Sequence, residues 1–312
     1  MKKVLVSDYV HPSLISGLEE RGYDVHYDRH FLAQDLDSVL SELSGIVINT
    51  KIPMMRERIM KAEKLEFIAR LGSGLDIIDL EAADERNIKV INTPEGNCDA
   101  VAEHAIGMLL SLSNKLLAAD RQLRQRIWKR EENRGFELGG KTIGIVGLGN
   151  TGRAMCRKLS CWGLEIIYSD PYISDIPADL SYLKAVKTEE LAEMSDIISL
   201  HVQLTNETRH LVDEAFLKRC KNGAILINSS RGAVVDSHAL VNALENKKLA
   251  GACLDVFENE KPLTFSNEEN KLYDRLYAME NVVMSPHVAG WTHESLKRVA
   301  EVMLKKLDGR PL

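Results

Sequence analysis

Two groups of residues in this sequence have the types and spacing to do chemistry. The first is Gly147-Leu-Gly149-Asn150-Thr151-Gly152, between an apolar run at residues 142–146 and a stretch with Met155, Leu159 and Trp162 at helical spacing. Between a strand and a helix, the first glycine makes the tight turn, the second lets backbone approach a pyrophosphate, and the third lets helix and strand pack closely. The pyrophosphate then sits at the positive end of the helix, against free backbone amides. Taken alone, such a run is as easily a flexible turn, so its context carries the reading. The second group is Arg231, Glu260 and His287, in Asn228-Ser229-Ser-Arg231-Gly232, Leu254-Asp255-Val-Phe257-Glu-Asn-Glu260 and Ser285-Pro-His287-Val-Ala-Gly290. Each segment ends an expected strand. In an open parallel sheet the carboxyl ends of strands form the ligand crevice, so side chains far apart in sequence converge there. Singly, each of these is a common surface or capping residue. An arginine, a glutamate and a histidine in one cleft are a chemically sensible set.

The glycine run is followed by a further apolar strand at residues 166–168 and then Asp170, 18 residues past Gly152. That is near where an acid meets the ribose hydroxyls of a dinucleotide. A carboxylate there repels a 2'-phosphate, and the following Pro171-Tyr172-Ile173 supplies no arginine to reverse the preference. The cofactor expected is NAD rather than NADP.

The elements that must position these groups are an α/β alternation. Short apolar strands are expected at residues 4–6, 25–27, 45–48, 67–69 and 89–91, with helical patterns at 12–21 and 36–43. Continuous apolar strands alternating with helices predict parallel sheets covered on both faces. Residues 99–119 carry helical periodicity over about five turns and read as a connecting helix. A polar, basic stretch at 120–137 follows; its Trp128 and Arg130 read first as a packed, solvated connector, with an active site, even a partner subunit's, as the alternative. A second series has strands at 142–146, 166–168, 197–200, 224–228, 251–255 and 282–284, six in all, as a dinucleotide-binding sheet needs. The amphipathic stretch at 292–307 is too short for a domain and is expected to cross back to the first one. The domains expected are therefore 1–98 with 291–312, discontinuous, and 99–290.

At 312 residues the chain is long enough for two domains with real cores, and 45% apolar and 28% charged residues argue against disorder. Forty Lys plus Arg against 46 Asp plus Glu, a formal charge of -6, argue against a general nucleic-acid or membrane-surface binder. No apolar stretch approaches the roughly 18 residues of a membrane span, and the start is too short and too soon charged for a signal peptide. Five cysteines, at 98, 156, 161, 220 and 253, have no metal-ligand spacing. Reduced thiols in a cytoplasmic protein without a metal site are expected.

With Arg70-Leu-Gly72-Ser73-Gly74-Leu-Asp76, Asn92-Thr-Pro94 and Val101-Ala-Glu103-His104, these segments resemble the D-isomer-specific 2-hydroxyacid dehydrogenases, and within them the phosphoglycerate dehydrogenase branch. The resemblance covers nearly the whole chain. It implies a flavodoxin-like substrate domain, a Rossmann NAD-binding domain, and a homodimer contacting through the connecting helix and 120–137. It makes His287 the proton donor or acceptor at the substrate oxygen, Glu260 the carboxylate that orients its ring, and Arg231 the clamp on the substrate. Reducing a 2-keto acid needs a hydride on carbon and a proton on oxygen, and an imidazole suits the proton. A neighbouring glutamate favours the protonated ring, and arginine binds a carboxylate with two parallel hydrogen bonds. By the same resemblance the backbone at Ser73 and Gly74 holds the substrate carboxylate, and Asp255 contacts the nicotinamide amide. Ser73, Asn150, Thr151, Val202, Ser229 and the stretch from His287 to Gly290 line the cofactor. Arg70 is the candidate for a second anion; a strand-end salt bridge is its plainer reading. The other histidines, His104 and His201 included, are read as structural.

Two departures from the family pattern stand out. Gln203 in His201-Val202-Gln203-Leu-Thr205 replaces a frequent proline, which frees that loop's backbone, and a polar stretch at 261–275 is longer than is typical. The end of the chain soon after the return helix leads us to expect no added regulatory domain and no serine feedback through one. The substrate expected is 3-phosphoglycerate, with hydroxypyruvate or glyoxylate as alternatives. The family also resembles nicotinamide-binding corepressors, so an NADH sensor is the alternative of another class.

Overall fold

The computed structural model describes residues 1–311. The chain divides into two compact units, Met1–Cys98 with Trp291–Leu312, and Asp99–Gly290.

The first unit alternates β1 (Lys2–Val6), α1 (Pro12–Glu19), β2 (Tyr23–Tyr27), α2 (Leu36–Val39), β3 (Leu43–Ile48), α3 (Arg56–Lys61), β4 (Phe67–Arg70), α4 (Leu80–Glu85) and β5 (Lys89–Asn92). Its strands pair in parallel in the order β2-β1-β3-β4-β5, which is the flavodoxin-like order. β3 and β4 are buried along their whole length, which is why residues 45–48 and 67–69 within them read as continuous apolar runs. The helix expected over 36–43 is shorter. After Val39 the chain tightens into a 3-10 turn, Leu40–Glu42, and Leu43 is already extended and paired in β3.

Next come α5 (Pro94–Ser113) and α6 (Leu116–Arg124). The single helix expected over 99–119 is therefore corrected to two. Lys115 takes a left-handed backbone (φ 52), which ends the hydrogen-bond ladder between them. Nothing in α6 is buried.

The second unit continues with β6 (Thr142–Val146), α7 (Asn150–Leu159), β7 (Glu165–Ser169), β8 (Lys184–Ala185), α8 (Thr188–Met194), β9 (Ile197–Leu200), α9 (Glu214–Arg219), β10 (Ala224–Asn228), α10 (Ser237–Glu245), β11 (Leu249–Leu254), α11 (Asn267–Tyr277) and β12 (Val282–Met284). Its seven parallel strands run β12-β11-β10-β9-β6-β7-β8, the Rossmann order 3-2-1-4-5-6 with one strand added. The expected count of six missed β8, which is two exposed residues at the sheet edge and has no apolar run to betray it. The polar stretch at 261–275 is no open loop: Ser266 and Glu269 form a capping box that starts α11, and Leu272, Tyr273 and Leu276 are buried.

Finally α12 (His293–Leu307) buries Val299, Ala300 and Met303 in the first unit's core with Leu14 and Leu18. At its far end Arg21, just beyond α1, donates to both oxygens of Asp308, at 2.7 and 2.5 Å. This pairing holds the Asp308 carboxyl below its usual range, the hydrogen bond from Arg21 being the largest cause. Among the described residues no helix is long and apolar enough to cross a membrane.

Candidate active site

In the second unit the three glycines separate by geometry into three tasks. Gly147 has φ +91 at the end of β6, and a Cβ there would lie 2.8 Å from the His201 carbonyl oxygen. A Cβ on Gly152 would lie 2.2 Å from the Gly147 carbonyl oxygen, so α7 meets the turn only because that atom is missing. Gly149 is different: nothing lies within 4 Å of its Cβ position. It precedes α7 with no side-chain cap, and leaves open space in front of the helix amides. Asn150 and Thr151 are the first residues of α7, and Val202 packs 3.0 Å from the Gly147 Cβ position.

Asp170 lies beneath this turn. Its Oδ2 accepts from the Leu148 amide at 2.8 Å and its Oδ1 from the Tyr172 amide at 3.0 Å. The carboxylate is thereby fixed, and each oxygen keeps lone-pair capacity for a ribose hydroxyl. At the end of β10 the buried Ser229 Oγ has no hydrogen-bond partner in the protein. A buried hydroxyl in that state is a place where a ligand or an ordered water can bond. The open cradle at Gly149, the fixed Asp170 and the orphaned Ser229 hydroxyl together fit a dinucleotide.

The structure brings His287 and Glu260 together, the two residues expected to handle a proton. His287 Nδ1 lies 2.8 Å from Glu260 Oε2, with both side chains about two-fifths exposed. With Nδ1 engaged, Nε2 is the nitrogen left for a substrate. His287 has a left-handed backbone (φ 53), uncommon for a residue with a side chain. Its amide donates to the Asp255 carbonyl oxygen at 2.8 Å. The Asp255 side chain, 1% exposed, holds the rest of the loop. Oδ1 accepts from Ser285 Oγ at 2.6 Å and from the Val288 amide at 2.9 Å, and Oδ2 from the Ala289 amide at 2.9 Å. Its bonds within the protein therefore fix the loop that carries His287 and ends at the partly buried Gly290.

Arg231 follows β10 on a turn organised by Asn228, whose Oδ1 accepts from Ser230 and whose Nδ2 donates to the Arg231 carbonyl oxygen. Arg231 Nη1 donates to the Ser230 carbonyl oxygen at 2.8 Å. A Cβ on the next residue, Gly232, would lie 1.9 Å from the Phe257 carbonyl carbon, so the Arg231 turn and the segment leading to Glu260 touch backbone to backbone. That segment is anchored in turn by α11: the Asn259 amide donates to Tyr273 Oη at 3.1 Å and Asn259 Nδ2 to Glu269 Oε1 at 2.9 Å.

One partner of this site was assigned no role from sequence. His104 Nε2, on α5, lies 2.8 Å from Ser285 Oγ and 3.7 Å from Asp255 Oδ1. Nothing in the local pattern of α5 marks it, because its partners are about 150 to 180 residues away. His201, in contrast, bonds Ser199 Oγ at 2.9 Å, and burial pushes its ring down to about 4, so it is neutral. The buried Cys156 and Cys253 thiols are pushed up to about 12 and are inert. Among the described residues no three His, Cys, Asp or Glu side chains could hold a metal.

In the first unit, the loop after β4 is pinned to the end of β5. The Gly72 amide donates to Thr93 Oγ1 at 2.8 Å, and Asn92 Nδ2 donates to the Ser73 carbonyl oxygen at 3.0 Å. Arg70 is only 9% exposed; its Nη1 donates to the Leu71 carbonyl oxygen at 3.1 Å and lies over Gly72 where a Cβ would be. Gly74 is buried and Ser73 partly exposed. The expected site residues thus form three clusters: the glycine turn with Asp170, the Glu260–His287 pair with the Asp255 and Arg231 loops, and the loop from Arg70 to Gly74. Trp128, 83% exposed, and Arg130 join none of them.

A family model described as D-isomer specific 2-hydroxyacid dehydrogenase, NAD binding domain, matches residues 106–289. The chain is 36% identical to D-3-phosphoglycerate dehydrogenase of Methanocaldococcus jannaschii over an alignment of 314 positions that covers 99% of this chain and 58% of that protein. It is 40% identical to glyoxylate reductase of Thermococcus litoralis over 273 residues, 85% of this chain and 80% of that one. It therefore spans little more than half the length of the phosphoglycerate dehydrogenase. Among solved structures, D-lactate dehydrogenase from Aquifex aeolicus, complexed with NAD and lactic acid, superposes with a TM-score of 0.87 at 27% identity, covering 99% of this chain and 95% of that one.

Proposed function

Because the chain belongs to the D-isomer-specific 2-hydroxyacid dehydrogenase family, we propose that it interconverts a small D-2-hydroxy acid and its 2-keto acid with NAD. The single observation that carries this reading is the His287 Nδ1 contact with Glu260 Oε2 at 2.8 Å, on the carboxyl edge of the sheet whose glycine turn fits the dinucleotide. When bound, NADH supplies the hydride for the keto carbon. His287 gives the proton to the keto oxygen from Nε2, and Glu260 holds Nδ1 so that the ring keeps one orientation. Arg231 binds the substrate carboxylate and polarises the adjacent carbonyl. In the reverse direction His287 takes the hydroxyl proton.

For the substrate we propose 3-phosphoglycerate and 3-phosphohydroxypyruvate, which would place the activity in serine biosynthesis, in the cytoplasm. Similarity to D-3-phosphoglycerate dehydrogenase over 99% of this chain supports it. A second reading, glyoxylate or hydroxypyruvate as the keto acid, is favoured by the 40% identity to a glyoxylate reductase. It is also favoured by Arg70, the residue offered for a phosphate, whose guanidinium folds onto its own loop. We propose a homodimer as the working form, on the strength of the exposed apolar residues Leu116, Leu117, Leu123 and Trp128.

The test is NADH oxidation with a panel of 2-keto acids, repeated with NADPH. Turnover of phosphohydroxypyruvate well above that of glyoxylate and hydroxypyruvate supports the first substrate, and the reverse order selects the second. Preference for NADPH would refute the role given to Asp170. Tight NADH binding with no keto acid consumed would replace the enzyme by a nicotinamide sensor.

A further inference from the structure

We propose that His104 is a positioning residue for His287, acting through the Ser285 hydroxyl and the Asp255 carboxylate; this rests on the reading of His287 as the group that moves the substrate proton. The Ser285 hydroxyl has one hydrogen to give. Asp255 Oδ1, 2.6 Å away, belongs to a carboxylate that only accepts, so the hydrogen points there. Met108 Sδ, at 3.7 Å, is a much weaker acceptor. The oxygen of Ser285 therefore faces His104 with a lone pair, and His104 Nε2, 2.8 Å away, must carry a hydrogen. The chain has one direction: His104 donates to Ser285, and Ser285 donates to Asp255.

Asp255 is where this order becomes positional. Its two carboxylate oxygens and its carbonyl oxygen take hydrogen bonds from Ser285, Val288, Ala289 and the His287 amide, on both sides of the left-handed turn at His287. The loop itself has no helix or strand to hold it. His104 stands on a 20-residue helix, which gives the chain of donors a fixed origin. Without the His104 hydrogen bond, the Ser285 hydroxyl is free to turn, Asp255 loses an oriented donor, and the His287 ring loses its registration with Glu260.

The experiment compares His104→Leu, which removes the donor, with His104→Gln, whose amide nitrogen can occupy the place of Nε2. Steady-state kinetics and amide hydrogen exchange are measured on the whole protein. We expect His104→Leu to lower kcat on the order of tenfold or more, with the KM for NADH unchanged. Exchange at Val288 and Ala289 should quicken about tenfold against an unchanged background elsewhere. His104→Gln should restore both readouts to near the parent values. If His104→Leu does not fold, Ser285→Ala cuts the same chain at its next link and should give the same pattern. Unchanged exchange at Val288 and Ala289 in the Leu variant, or a Gln variant as impaired as Leu, overturns the proposal. If the parent protein turns over no keto acid, the dehydrogenase reading falls, while the exchange contrast still decides the role of His104.

Discussion

At the scale of single residues, His287 is held by its backbone as firmly as by its side chain. A left-handed conformation costs a non-glycine residue roughly 1–2 kcal/mol, and the hydrogen bonds that its own amide and the Val288 and Ala289 amides donate to Asp255 offset that strain. Substituting the side chain leaves these bonds in place. His287→Ala should therefore lower kcat by about a hundredfold to ten-thousandfold, as expected for loss of a general acid, with NADH affinity nearly unchanged by fluorescence titration. Equal loss of NADH binding would make the residue structural. His201 gives a prediction in pH. Partly exposed as a residue but crowded around its ring, it is pushed by burial from 6.5 down to about 4. Between those values the unfolded chain binds a proton that the folded chain does not, so stability is full above about pH 6.5 and is lost as pH falls toward 4. The ceiling is about 3 kcal/mol. Urea midpoints measured from pH 8 to pH 4 should fall less steeply in His201→Asn than in the parent.

At the scale of elements, the site depends on loops that touch. The turn after β10 and the segment after β11 meet at Gly232, where a Cβ would lie 1.9 Å from backbone rather than from a side chain that could move. Gly232→Ala should separate Arg231 from Glu260, costing about 1–3 kcal/mol in stability from overpacking. It should also lower kcat/KM for the keto acid far more than it changes NADH affinity, measured by paired kinetics and thermal denaturation. Wild-type kinetics in this variant would show that the two loops work independently. The capping box of α11 belongs at this scale as well. By anchoring Asn259 through Glu269 and Tyr273, that helix supports the segment that ends at Glu260.

For the whole molecule, the telling element is α6. It buries nothing, and Leu116, Leu117 and Leu123 are all exposed, as is Trp128 just beyond it. Exposed apolar residues concentrated in one stretch mark an interaction surface. Sedimentation equilibrium should give twice the chain mass, and Leu117→Glu with Leu123→Glu should shift it toward one chain. A monomer in the parent protein at micromolar concentration would leave α6 without the role proposed for it.

Much of this was legible in the sequence because it depends on local sterics and periodicity. Continuous apolar runs gave the central strands, which are buried on both faces. The spacing of Gly147, Gly149 and Gly152 announced a turn, an approach and a packing contact that backbone geometry alone requires. The capping box at Ser266 and Glu269 has a local sequence signature too, in a stretch noted from sequence only as polar and long. Tertiary structure decided the rest, because those interactions join residues with no sequence relation to one another. β8 exists only because β7 offers an edge to two exposed residues. Arg70 turned onto its own loop, where glycine leaves room for a guanidinium. The bond from His104 to Ser285 spans 181 positions, and no periodicity records a contact made only when α5 and the end of β12 are brought together by the fold.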